Sequence, residues 1–197
     1  MTAVKLRKLI ENDIARDQTE QGLRHYLADK GPLLHRSIRL SGDDQTDKLE
    51  RFTLVYTRHA PDLIMDVRRE AGLKSLDAYI EKTLVVAESF FMNPPDMPDI
   101  PNGLIKSVAA AYLVHRLIEE MNDIFHMCLG VSLWNHDITH ANLLVHEMLG
   151  DAFANSLDIR VSNCVHTLTQ GHDGLFGNAD FIALQQDYRT HLAVKVA

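Results

Sequence analysis

Five histidines, His115, His126, His136, His140 and His146, fall within a 32-residue stretch that also carries Glu119, Glu120, Asp123 and Asp137, with Glu147 and Asp151 just beyond. Neutral imidazole and carboxylate are the side chains that hold a borderline or hard divalent cation and activate a water bound to it. At about 100° per residue, His115, Glu119 and His126 project from one helix face, and the i,i+4 spacing of His115 and Glu119 suits ligation from a single helix. If the following helix already includes His136, then His136, His140, Glu147 and Asp151 share a second face about 60° wide. Two facing stripes of this kind, joined by Glu81 or Glu88 from a third helix, would make a carboxylate and imidazole centre of the bundle type. The candidate metal ligands are therefore His115, Glu119, His126, His136, Asp137 and His140. The cofactor they imply is one or two divalent ions, Fe, Mn, Zn or Ni.

The same periodicity supports a plainer reading. Ala110, Val114, Leu117, Met121, Ile124 and Cys128 form an apolar stripe, and His115, Glu119, Asn122 and His126 lie opposite it, where polar side chains ordinarily meet solvent. On the next segment Ala141, Leu144, Val145, Met148 and Ala152 define a core face, from which His136, His140 and Glu147 point away. His166, with Asp158 and Gln170 on its own segment, and Trp134 beside His136 are secondary candidates for a ligand and a pocket wall.

These side chains need elements to carry them, and the apolar period is helical almost throughout. Val4, Leu6, Leu9, Ile10 and Ile14 mark a first helix; a second carries Leu23, Tyr26 and Leu27 and stops at Lys30-Gly31-Pro32. Residues 34–40 alternate and predict one short strand or extended segment. Asp43 and Asp44 cap a long helical stretch that Pro61 is expected to kink or divide before it ends near Gly72, and Ser75 is the expected N-cap of the next helix. Residues 93–101 hold four of the six prolines and predict a stiff crossover between halves 1–92 and 102–197 of one helical domain, 1–197. Beyond it, helices are expected over about 103–128, from 132 or 137 to 153, over 156–170 and over 178–194. The fold class is all-α, a multi-helix bundle.

Composition narrows the partners. The chain has 197 residues, 46% hydrophobic, enough to bury a core without staples, and its two cysteines, Cys128 and Cys164, read as small buried side chains. A net charge of −7 without a basic patch excludes nucleic acid. Residues 101–197 hold 5 Lys and Arg against 10 Asp and Glu, so the histidine-rich half is also the half that attracts cations. No apolar run is long enough for a bilayer span or a signal peptide, and a cytoplasmic location is expected.

The segment His136-Asp137-Ile138-Thr139-His140, with His146-Glu147 downstream, resembles the metal-binding signature of HD-domain phosphohydrolases over residues 136–147. The resemblance implies an all-helical enzyme that cleaves phosphoesters with metal-bound water. It implies His136 and Asp137 as paired ligands, His115 as an upstream ligand, Asp158 or Asp173 as a distal one, and His140 or His146 in protonation or phosphate contact. Residues 138–149 contain neither the glycine nor the proline that usually follows the pair in that family. Two functional readings follow: a metal-dependent hydrolase on some of these residues, acting on an unknown small molecule, or a non-catalytic helical protein that homodimerises or docks a partner, without metal.

Overall fold

The structure is a computed structural model that describes residues 3–35, 44–94 and 103–196, with side chains as far as residue 190. It is an all-α multi-helix bundle. Among the described residues the helices are α1 (Ala3–Glu20), α2 (Gly22–Lys30), α3 (Gln45–Leu73), α4 (Asp77–Met92), α5 (Leu104–Leu129), α6 (Thr139–Leu149), α7 (Asp151–Gln170) and α8 (Ala179–Val196), with two short 3-10 turns and no strand. The predicted extended segment 34–40 lies from residue 36 onward outside the described residues, as do residues 95–101 of the predicted crossover.

Helix α5 is the axis of the bundle because its sequence leaves it no solvent face over most of its length. Seventeen of its 26 residues are buried, from Leu104 to Leu129, the pattern of a helix that is packed all round. Helices α1, α3, α4, α6, α7 and α8 all touch it. Ala109, Ala110 and Ala111 keep its second turn narrow, so that neighbours approach closely, and Leu113, Val114 and Leu117 fill the space beyond. Helices before and after the proline-rich segment contribute to one hydrophobic cluster, from Leu6 on α1 to Phe181 on α8. No helix among the described residues is long and apolar enough to cross a membrane.

Three local departures from the sequence expectation have physical causes. Pro61 does not divide α3, which runs unbroken from Gln45 to Leu73. Ala60, Pro61, Leu63 and Ile64 are all buried there, and tertiary packing of that face outweighs the missing backbone hydrogen bond, a cost of about 3 kcal/mol. Ser75 closes α3 rather than capping α4: it adopts φ 58°, while Leu76 N–H donates back to Ala71 O at 2.8 Å, a left-handed helix stop. The expected single helix through residue 153 breaks at Gly150, whose φ of 86° is open to glycine and costly for other residues. Helix α6 therefore ends at Leu149 and α7 begins at Asp151.

Leu117→Ala, at a fully buried position on the axis, is expected to lower unfolding stability by about 2–5 kcal/mol. Met127→Ala on the same helix, 74% exposed, is expected to stay within about 0.5 kcal/mol of the parent. Urea unfolding followed by circular dichroism measures both, and equal effects would contradict the placement of α5.

Candidate functional site

The polar residues of α5 that the helical period sets opposite the core are not all at the surface, because other helices cover them. His115 is 0% exposed. Tyr56 on α3 stacks on its ring with centroids 4.1 Å apart, and His115 Nδ1 lies 2.7 Å from Ala111 O. Its Nε2 lies 3.0 Å from Nδ1 of His59, also on α3. The expectation that His115 points away from the core is thus corrected: α3 packs on that side of α5 and extends the core over it. Burial pushes the His115 pKa down to about 3, with the Ala111 carbonyl opposing and the neighbouring His59 adding to the fall. Burial likewise lowers His59, against the raising effect of Asp62 and Asp66.

One turn further along α5, a hydrogen-bonded network runs outward to a cleft. Arg116 donates to Glu119 and, at 2.7 Å, to Glu120 on its own helix. It also donates to Asp158 of α7 at 3.3 Å. Burial works against the Arg116 charge, but the Glu119 and Glu120 carboxylates outweigh it and raise its pKa. Glu119 accepts two further bonds from α6, from Thr139 Oγ1 and from Asn142 Nδ2, each at 2.8 Å. Asn142, only 3% exposed, accepts in turn from the Tyr56 hydroxyl at 2.7 Å. Tyr112 donates its hydroxyl to Asp158 at 2.9 Å, and burial followed by that bond raises the Tyr112 pKa. His146 on α6 closes the ring with Nε2 3.5 Å from Asp158 Oδ2 and 3.3 Å from Asn155 Oδ1.

Tyr112, Arg116, Glu119, Thr139, Asn142, Leu143, His146 and Asp158 line a cleft of about 240 Å³ between α5, α6 and α7. A second hollow of about 190 Å³ shares Glu119 and Thr139 with it and is bounded by Asn122, Asp123, Trp134, His136 and Asp137. Trp134, whose backbone N–H donates to Asn122 Oδ1 at 3.0 Å, has a ring that lies between those of His59 and His136, at centroid distances of 5.8 and 4.9 Å.

The six residues singled out in the sequence are therefore dispersed. His115 is in the core and Glu119 in the network. His126 is exposed, with its ring 3.3 Å from Ser132 Oγ. His136 and Asp137 precede α6, and Asp137 accepts from the Thr139 N–H at 2.9 Å, a bond that holds its carboxyl below the usual range. His140 is exposed on the first turn of α6. Among the described residues no group of three or more His, Cys, Asp or Glu side chains is placed to hold one metal ion. Tyr56, His59, Tyr112, Arg116 and Asn142 were absent from the sequence candidates. Tyr112, Arg116 and Glu119 do follow an i, i+4, i+7 run down one helix face, whereas Tyr56, His59 and Asn142 reach the site only through packing of α3 and α6 on α5.

No family model, no curated protein and no solved structure matches this chain.

The buried His115 sets a pH response. Its pKa is lower in the folded chain than the unfolded value near 6.5, so the unfolded chain binds the extra proton as pH falls. The stability it contributes is complete above the unfolded pKa and is lost as pH drops through 6.5 toward about 3. Chelator-treated protein is expected to lose about 2 kcal/mol of stability between pH 7.5 and 5.0 from this group. Urea midpoints at the two pH values, compared between wild type and His115→Gln, test this; the same pH dependence in both would contradict it.

Proposed function

We propose that the chain binds a small organic cation, an amine carrying a short apolar part, in the cleft between α5, α6 and α7. The observation that carries this is the balance of hydrogen-bonding groups. Each donor-bearing side chain lining the cleft already has a partner in the protein: Tyr112, Arg116, Thr139 and Asn142 each donate to a carboxylate, and the His146 ring lies 3.3 Å from Asn155 Oδ1. Three carboxylates, Glu119, Glu120 and Asp158, stand against the single guanidinium of Arg116. A carboxylate offers about four lone-pair directions, and the oxygens of Glu119 and Asp158 retain capacity to accept from a ligand. An ammonium group brings the donors and the charge that this surface lacks, and Leu143, 57% exposed at the rim, offers apolar contact. At about 240 Å³ the cleft is below the range of about 300–1,000 Å³ usual for drug-sized ligands, which selects a small molecule. The net charge of −7 steers cations toward the chain.

A second reading, metal-dependent phosphohydrolysis, is favoured by one observation. His136 and Asp137 lie before α6, so regular helix does not hold their side chains about 100° apart. Hydrolysis of an aryl phosphate in the presence of Mn²⁺, abolished by His136→Ala, would support this reading in place of the first.

Thermal unfolding with millimolar butylamine tests the first reading. Wild type is expected to gain several degrees in Tm, a response that sodium butyrate at the same ionic strength does not give and that Asp158→Asn reduces by at least half. Stabilisation equal for amine and carboxylate, or none from the amine, overturns it.

A further inference from the structure

The hollow beside the cleft offers a free donor as well as acceptors. Trp134 is 8% exposed, and a buried indole N–H ordinarily finds a hydrogen-bond partner. Among the described residues no acceptor meets this one, and no buried side-chain nitrogen or oxygen is without a partner. The indole N–H therefore opens on the hollow of about 190 Å³ that Trp134 lines. Of the other lining residues, Asp123 is exposed and makes no hydrogen bond or ion pair among the described residues. Asp137 accepts one bond, from the Thr139 N–H. No lysine or arginine is among the residues that line this hollow. Glu119 and Thr139 border both it and the cleft, so one short molecule can occupy the two. Asp123 stands one turn beyond Glu119 on α5, about 6 Å along the helix axis.

We propose that the ligand is an amino alcohol that spans both hollows, an inference that rests on the amine reading of the cleft. Its ammonium group meets Glu119 and Asp158, and a hydroxyl at the other end of a short chain lies beside Trp134. There the hydroxyl accepts from the indole N–H and donates to Asp123, using both halves of its hydrogen-bonding capacity. A second ammonium in that place would have no lone pair for the indole N–H. A carboxylate would accept from the indole, but it would face Glu119, Asp123 and Asp137 with no cationic side chain lining the hollow, and like charges at close range repel. A hydroxyl is the group that meets the donor and the acceptors together. The two hollows, about 240 and 190 Å³, together enter the range usual for small-molecule sites.

Isothermal titration of the full chain at pH 7.5 with 5-amino-1-pentanol, pentylamine, 1,5-diaminopentane and 5-aminopentanoate tests the proposal. The amino alcohol is expected to bind at least about threefold more tightly than pentylamine, the yield of one added neutral hydrogen bond, and more tightly than the diamine or the amino acid. Its binding is also expected to change the emission of Trp134, the single tryptophan of the chain. Trp134→Phe keeps the ring and removes the N–H, and is expected to reduce the preference for the amino alcohol over pentylamine by at least half. Asp123→Ala, at an exposed position, is expected to do the same and serves where circular dichroism shows Trp134→Phe unfolded. Equal affinity for amino alcohol and pentylamine overturns this inference and leaves the amine reading standing, whereas binding of neither overturns both. Tightest binding of the diamine or the amino acid, unchanged Trp134 emission at saturation, or an unchanged preference in the variants also overturns it.

Discussion

The Arg116 guanidinium is the constraint on which the polar half of the structure depends. It engages Glu119 and Glu120 on α5 and Asp158 on α7. Without it, three carboxylates would crowd one partly enclosed surface, where like charges raise each other's free energy. With it, two of them become fixed hydrogen-bond acceptors. Glu119 then orders the start of α6 through Thr139 and Asn142, and Asp158 orders Tyr112 and faces His146. A planar guanidinium, with donors in a rigid fork, suits this branched contact better than an ammonium would. Its side chain is 24% exposed and that of Asp158 32%, so solvent screens the pair less than it would a fully exposed one.

The apolar half explains how this network comes to be where it is. Helix α5 is buried on nearly every side, so even its polar positions must be satisfied by neighbouring helices or cost free energy. His115 is satisfied by Ala111 and His59 and covered by Tyr56, whose hydroxyl reaches on to Asn142 and so to Glu119. The core and the cleft are thus connected through the Tyr56 side chain, with its ring on the histidine and its hydroxyl in the network. Such fully satisfied buried polar groups specify one arrangement of the helices around them.

The all-α architecture was legible because the 3.6-residue period runs through nearly every segment, and Gly31, Gly72 and Gly171 mark helix ends within a residue or two. Breaks decided by backbone conformation were harder to place, as at Gly150, where an unbroken apolar period concealed the junction of α6 and α7. Burial was legible only on the assumption that a helix has one core face, which fails for α5; Tyr112 and His115 were misjudged or passed over for that reason. The candidate site was legible in part. Glu119 and Asp158 were visible as acids near histidines. Arg116 is one of five basic residues beyond position 100 and stands in no motif of its own, and Tyr56 and His59 belong to a helix some 56 residues earlier in sequence.

A double-mutant cycle on Arg116→Met and Asp158→Asn, read by urea unfolding at pH 7.5, tests the account most directly. If the guanidinium joins α5 to α7, the two substitutions are coupled by at least about 0.5 kcal/mol, beyond the error of additivity for independent sites. Additive effects would show that the pair contributes nothing to the fold and that the acceptor-lined cleft is not held together as described.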